Sequence, residues 1–318
     1  MNRVSVVVPV YNGEQHIRQC LDALVSQSFG KNDYEIIVAD DGSTDNTPAI
    51  VKSYSVKYIR QENRGPASAR NLGVRNALGE IILFTDADCA PSNNWVQEML
   101  RPLLSDSDNI AAVKGVYRTS QTSKTARFAQ AEFEERYEML KKHKFIDMVD
   151  TYSAAFKKEI FLKVGGFDES FPEANNEDTE LSYKLSLAGY KMVFNPNAVV
   201  SHLKHPDTLV KYARQKFWRG FWRMAVYKRF PQKMVKDTYT PQSLKVQIML
   251  ILSGLFLTLP VVTLPFALLV FLGFLATTVR FSRRTYKKDR EIGIRSPFYL
   301  AVRALSIGLG VMYFLVKK

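Results

Sequence analysis

The stretch Glu80-Ile81-Ile82-Leu83-Phe84-Thr85-Asp86-Ala87-Asp88-Cys89 decides the fold class of this chain. Its apolar run, Glu80–Thr85, stops at two carboxylates one residue apart. A short run without polar alternation is the pattern of a strand buried on both faces, as in a parallel sheet covered by helices. Open α/β sheets bind ligands beyond the carboxyl ends of their strands. The same arrangement stands 46 residues upstream, where Tyr34–Ala39 runs into Asp40-Asp41. A third acidic pair, Glu177-Asp178, opens the amphipathic segment Thr179–Leu187. Carboxylates clustered in this way repel one another, and a divalent cation with a diphosphate is the commonest compensation.

Outward from these pairs, the first 200 residues alternate strand and helix. Strands are predicted at 3–10, 34–39, 56–60, 80–85 and 110–117, and helices near 14–27, 46–54, 66–77, 92–104 and 124–141. The predicted class is α/β, a mostly parallel central sheet with flanking helices, followed by a C-terminal helical membrane region. Strand-like sequence from Arg3 gives the expectation of no cleavable signal peptide. Cys20 and Cys89, the two cysteines, offer neither a disulfide framework nor a zinc spacing, so a reducing cytosolic face is the simplest compartment.

The net charge of +13 suggests a nucleic-acid binder until it is divided along the chain. Residues 1–203 carry 23 Lys/Arg against 27 Asp/Glu, a net of −4, whereas residues 204–295 carry 18 against 4, a net of +14. The basicity accompanies the apolar tail, which points to a bilayer with anionic headgroups as a partner and to no nucleic acid. Val246–Val279 is 34 residues without a charge. One straight helix of that length would run about 51 Å, against roughly 30 Å of bilayer hydrocarbon. Pro260 and Pro265 bracket Val261–Leu264, so a hairpin over about 245–279 is predicted, with a third apolar helix at about 297–316 that either spans as well or takes a re-entrant or interfacial position. Basic blocks on both sides of the hairpin place the N-terminal domain in the cytoplasm by the positive-inside rule, giving a multi-pass cell-membrane protein. Arg303, inside the third segment, must snorkel, pair or face a bundle interior. Phe217, Trp218, Phe221, Trp222 and Ala225 share one helical face, and Lys216, Arg219 and Arg223 another, which suits either a helix in the headgroup plane or one packed against the catalytic domain. The expected domains are 1–207 (catalytic), 208–243 (interfacial helix and linker) and 244–318 (transmembrane).

The motifs carry the chemistry. Val6–Glu14, VVVPVYNGE, ends a strand and turns into a helix, and Pro9 and Tyr11 there could form a nucleobase platform. Asp40-Asp41-Gly42-Ser43 suits hydrogen bonds to a base or ribose, and equally an N-capping cluster for the next helix. Asn63–Asn71, NRGPASARN, starts a helix with Pro66 at its first position, and Arg70 with the free N–H groups suits a diphosphate or an acidic neighbour. In Asp86-Ala87-Asp88 alternate residues of an extended segment point to opposite sides, so one carboxylate can face a metal and the other a sugar or ribose. Glu177-Asp178 reads as helix-dipole chemistry or as a catalytic pair, with Asp178 the general base toward an acceptor hydroxyl. His202, after another strand, is a further metal or phosphate contact or an ordinary loop histidine.

Together PVYNGE, DDGSTD, NRGPASARN, TDADC, GGFDE and NEDTEL occur in the order found in the family 2 inverting glycosyltransferases, and the chain resembles that family over about residues 3–225. The resemblance implies the GT-A nucleotide-sugar-binding fold. It also implies a UDP- or GDP-linked sugar donor held by Tyr11, Glu14, Asp41 and Arg70, with Pro9, Asp40 and Asp86 beside them. Mn²⁺ or Mg²⁺ would sit at Asp88, base catalysis would fall to Asp178 with Glu177, and the acceptor would be polyprenyl-linked. The chain departs from the processive synthases, which carry Q-x-x-R-W where it has Gln215-Lys216-Phe217-Trp218-Arg219. The expected reaction is transfer of one sugar to a hydroxyl of a lipid-linked glycan. A polyprenyl-phosphate sugar synthase is the alternative, and a catalytically silent membrane scaffold a remote one.

Overall fold

The computed structural model describes residues 4–105, 109–171, 175–257 and 264–317. They form two compact units, interleaved in sequence: Met1–Ser120 with Met139–Lys204, and Gln121–Glu138 with His205–Lys318.

In chain order the first unit begins β1 (Val4–Val10), α1 (Ile17–Val25), β2 (Tyr34–Asp40), α2 (Thr47–Lys52), β3 (Lys57–Arg60), α3 (Pro66–Arg75), β4 (Ile81–Phe84), β5 (Cys89–Pro91), α4 (Trp95–Leu104) and β6 (Ile110–Arg118). Helix α5 (Lys124–Leu140) follows, then β7 (Ala154–Lys157), α6 (Lys158–Lys163), α7 (Glu177–Leu187) and β8 (Lys191–His202). The eight strands form one sheet in the order β3-β2-β1-β4-β7-β6-β8-β5. Strands β1 to β4 pair in parallel, Val4–Val10 matching Tyr34–Asp40 on one side and Val4–Val7 matching Ile81–Phe84 on the other. This half is the βα alternation that unbroken apolar runs dictate. Every residue of β1 and β4 is buried, as a strand covered on both faces requires.

Strand β7 inserts antiparallel between β4 and β6, and the short β5 pairs antiparallel with β8, setting Cys89 opposite His202. The predicted elements recur within a few residues of their expected bounds, whereas β5 and β7 have no counterpart among them. Two of the turns beside the β-strand ends demand glycine. Gly42 (φ +86°) turns β2 toward α2, and Gly65 (φ +91°) sits just before Pro66 at the start of α3.

The second unit is helical: most of α5, then α8 (Leu209–Arg229), α9 (Pro231–Val235), α10 (Gln242–Leu257), α11 (Leu264–Lys288) and α12 (Arg290–Val316). Its core joins Phe128 and Ala129 of α5 to Tyr212 of α8, Phe274 and Phe281 of α11, and Ile292, Tyr299, Leu300 and Ala304 of α12. Pro265–Lys288 and Arg290–Val316 are long and apolar enough to cross a membrane. Pro260 and residues 261–263 of the predicted hairpin turn lie outside the described residues. Helix α11 continues through the basic segment to Lys288. Helix α12 begins at Arg290, seven residues before the predicted start, with Asp289 accepting from the Ile292 N–H as its cap and Pro297 inside the helix.

The aromatic face of α8, expected at headgroups or against the catalytic domain, meets α12 of its own unit. Phe217 and Phe221 lie 5.7 and 5.6 Å from the Tyr313 ring, and Phe221 lies 5.3 Å from Phe314. Glycine makes that approach close: a Cβ on Gly220 would collide with the Ile307 carbonyl, and one on Gly310 with the Phe217 carbonyl. Arg303 is 2% exposed and pairs, donating to Glu132 at 3.2 Å and to Gln247 at 2.7 Å. Lys216 completes the cluster at 2.8 Å from Glu132. Burial pushes the Glu132 carboxyl up, but Lys216, Arg303 and Arg136 outweigh it and hold Glu132 well below its usual range.

Candidate active site

At the carboxyl ends of β1, β2 and β4 an open cleft of about 670 Å³ is lined by Pro9, Tyr11, Asp41, Arg70, Asp86, Asp88 and His202 among others. Its volume suits a small-molecule ligand. The β1–α1 and β2–α2 loops that form one wall are stitched together. Asn12 N–H donates to Ser43 Oγ at 2.9 Å, Thr44 N–H to Asn12 Oδ1 at 2.8 Å, and Gly13 N–H to Thr47 Oγ1 at 2.8 Å. Tyr11 projects from this wall, 51% exposed.

The first acidic pair divides its labour, because neighbours on a strand face opposite ways. Asp41 lines the cleft, accepting from Gln61 Nε2 at 2.7 Å, Arg64 N–H at 2.9 Å and Gly65 N–H at 2.8 Å. Asp40 is absent from the lining. It is fully buried, accepting from Ser43 N–H at 2.8 Å and from the Tyr58 hydroxyl at 2.5 Å. Glu14, expected with the donor residues, also lies off the cleft and caps α2, accepting from Asn46 N–H at 3.0 Å.

Arg70 ties the second and third acidic pairs together. Its Nη2 donates to Asp86 at 2.9 Å and its Nη1 to Glu177 at 2.8 Å, with the guanidinium over the Phe167 ring. Burial pushes the Asp86 carboxyl up, and Asp88 adds to that, against the pull of Arg70. Burial likewise pushes Glu177 up to about 7, with Asp178 reinforcing it, even though Arg70 opposes. Glu177 Oε2 has no hydrogen-bond partner among the described residues. Asn176, in the left-handed region at φ +72°, turns the chain into α7. Asp178, half-buried in the first turn, accepts from Thr179 N–H at 2.7 Å. Neither member of the third pair lines the cleft itself; both are felt electrostatically by Arg70, which does.

Asp88 and His202 meet because β5 and β8 pair at their ends: the Asp88 carboxylate lies 3.5 Å from His202 Nε2. Burial would raise Asp88, but the hydrogen bond and charge of His202 outweigh it and hold the carboxyl below its ordinary value. The Asp88, Cys89 and His202 ligand atoms lie within 4.8 Å of one another. Burial pushes the Cys89 thiol well up, and a soft sulfur ligand is a poor match for a hard cation. A carboxylate oxygen and an imidazole nitrogen remain, a donor pair that fits Mn²⁺ or Mg²⁺ when diphosphate oxygens and water complete the shell.

Residues 5–165 match the profile described as Glycosyl transferase family 2. The chain belongs to glycosyl transferase family 2. Among its relatives in this family, glycosyltransferase AglE of Haloferax volcanii is 26% identical over 64% of this chain and 67% of AglE. The probable glycosyltransferase YdaM of Bacillus subtilis is 32% identical over 70% of this chain, which spans 53% of YdaM. The mannosyltransferase PcManGT of Pyrobaculum calidifontis, solved with GDP-Man and Mn²⁺, matches all of this chain and 88% of its own, with a TM-score of 0.64 at 19% identity. That likeness is one of fold, and the mixed, curled sheet is the GT-A fold of family 2.

Sequence reasoning missed His16 and Lys204, both in the cleft lining. Lys204 carried a legible signal, since it stands two residues beyond His202 and a continuing extended segment puts both on one side. His16 had none beyond following the PVYNGE turn.

Proposed function

We propose that this family 2 glycosyltransferase transfers one sugar, with inversion, from a UDP- or GDP-linked donor to a hydroxyl of a polyprenyl-linked glycan at a membrane. The observation that carries the proposal is Arg70, which joins Asp86 to Glu177 on a cleft that also presents Asp41 and the Asp88–His202 pair. Tyr11 and Pro9 supply the flat apolar surface for a base, and Asp41 orients it by hydrogen bonding. Asp178 takes the proton from the acceptor hydroxyl as that oxygen attacks the anomeric carbon, and Glu177 and Arg70 hold the first turn of α7 in place for it. Asp88 and His202 would hold the divalent cation, which when bound supplies charge stabilisation for the departing diphosphate. Lys204 adds a cation on the same wall. The GDP-Man and Mn²⁺ of PcManGT support the donor class and the metal. The two long apolar helices and the basic C-terminal unit support a membrane location, with the catalytic unit on the cytoplasmic face.

The test uses detergent-solubilised protein, Mn²⁺ and a panel of UDP- and GDP-sugars, with nucleotide release as the readout. Release with a polyprenyl-diphosphate-linked sugar, and none with bare polyprenyl phosphate, is the expected result. Release with polyprenyl phosphate alone would replace this reading with a lipid-phosphate synthase, whose acceptor is already an anion and needs no base.

A further inference from the structure

We infer that α12, the longest apolar helix, does not cross the bilayer, and that the C-terminal unit sits in one leaflet with α10 and α11 toward the lipid. This rests on the membrane location proposed above. In the second unit α12 has charged helices beside it from end to end. At its start Arg127 of α5 donates to Asp289 at 2.7 and 2.8 Å and to Glu291 at 3.0 Å, and Lys124 pairs with Glu291 at 3.0 Å. Ten residues on, Tyr299 stacks on Phe128 of α5 at 4.7 Å, and Arg303 reaches Glu132. From Ile307 to Phe314 the neighbour is α8, held at the Gly220 and Gly310 approaches.

From Asp289 to Phe314 is about 38 Å of helix, more than the roughly 30 Å of bilayer hydrocarbon. A spanning α12 would therefore carry α8 into the hydrocarbon, together with the exposed Arg214 and the exposed Lys211–Asp207 ion pair. Hydrocarbon does not accept such exposed charges. A helix between a charged layer and an apolar layer meets no such conflict when it lies along the surface.

The apolar layer is present on the other side of α12. Leu252 of α10 packs against Gly308, and Gln247 of α10 receives Arg303. Beyond it, α10 and α11 show Met249, Phe266, Leu268, Leu269 and Phe271 at 56–65% exposure. That is far more contiguous apolar surface than a water-facing helical pair presents, and the fit is to acyl chains. The last charge before this layer is Lys245 and the first after it is Arg280. Residues 264–279 of α11 make about 24 Å of uncharged helix, so a crossing of roughly 30 Å would draw Arg280 and its neighbours toward the hydrocarbon.

The arrangements differ in where Lys287 and Lys317 lie. If α12 lies in the surface, both are on the same side of the membrane as the catalytic unit; crossings by α11 and α12 put Lys287 on the opposite side, and three crossings by the hairpin and α12 put Lys317 there. Lys287→Cys, Lys317→Cys and Glu159→Cys, all at exposed positions, would be probed with a membrane-impermeant maleimide on sealed inside-out and right-side-out vesicles. Cys20 and Cys89 are buried and serve as the silent background. Labelling of all three variants from the same side is the expected result. Labelling of Lys287→Cys or Lys317→Cys from the other side, or from both, would overturn the inference. A protease-cleavable C-terminal tag gives the same readout if a cysteine variant fails to accumulate. Sedimentation of the wild type with membranes is scored separately, so a protein found in the soluble fraction would count against the membrane reading itself.

Discussion

Arg70 Nη1 and Glu177 Oε1 lie 2.8 Å apart, both side chains nearly removed from solvent, so the middle of α3 and the start of α7 share one ion pair. Removing one member of a buried pair strands the other charge, at a cost of about 3–5 kcal/mol. Arg70→Ala should therefore lower stability by an amount of that order and abolish transfer. The double variant Arg70→Ala with Glu177→Gln should recover much of the stability, seen as non-additivity in thermal unfolding, without recovering activity.

Asp178→Asn keeps the size of the side chain but removes its capacity to take a proton. Transfer should fall by roughly 10²–10⁴-fold, the usual contribution of a general base, while donor affinity by calorimetry stays within about twofold. A variant retaining a tenth of the wild-type rate would take the base role away from Asp178.

For Asp88 and His202 the expected effect is on metal dependence. Asp88→Ala should erase the strengthening of donor binding by Mn²⁺. His202→Ala should raise the Mn²⁺ concentration for half-maximal activity by at least roughly 10–100-fold, the loss that removing even an outer partner of a metal site brings. Unchanged Mn²⁺ titrations in both variants would move the metal elsewhere.

Glu177 gives a pH prediction. Its carboxyl is pushed by burial from 4.5 up to about 7, so the folded state binds this proton more tightly than the unfolded state does. Its contribution to stability is complete below about pH 4.5 and is lost as pH rises through about 7. The upper limit of that loss is on the order of 3 kcal/mol. Glu177→Gln should flatten the stability profile between those limits, measured by denaturant titration across pH.

Gly310 and Gly254 make a contrasting pair in the helical unit. A Cβ at Gly310 would meet the Phe217 carbonyl, which is backbone, while one at Gly254 meets only Val270 at 3.5 Å. Gly310→Leu should cost about 1–3 kcal/mol by forcing α8 away from α12, and Gly254→Ala should be close to neutral by thermal unfolding in detergent.

What was legible in the sequence follows from physics local to each segment. Unbroken apolar runs located β1, β2 and β4 because burial on both faces leaves no other pattern. Strands β5 and β7, with three and four residues, are too short to carry a period and owe their existence to pairing with β8, β4 and β6. Within the cleft, neighbouring Asp40 and Asp41 read alike in sequence, although strand alternation lets only one face a ligand. Glu14 was read with the donor residues because nothing local shows that the Asn46 N–H, 32 residues away, would claim it. That α5 belongs with the C-terminal helices rests on Asp289 and Arg303, far along the chain.

The interleaving has a consequence for biosynthesis. Helix α5 leaves the ribosome early, yet Arg127 finds Asp289 only 162 residues later, and Glu132 finds Arg303 only after 171. At about 5–20 residues per second that interval is roughly 8–34 s. Throughout it Phe128 lacks Phe281 and Tyr299, and Glu132 lacks Arg303, with Arg136 on its own helix and Lys216 of α8 the only earlier cations beside it among the described residues. The nascent chain must pass this time with the first unit largely synthesised and an amphipathic helix only partly covered, so the arrival of Asp289 and Arg303, not of the catalytic sequence, sets when α5 is enclosed.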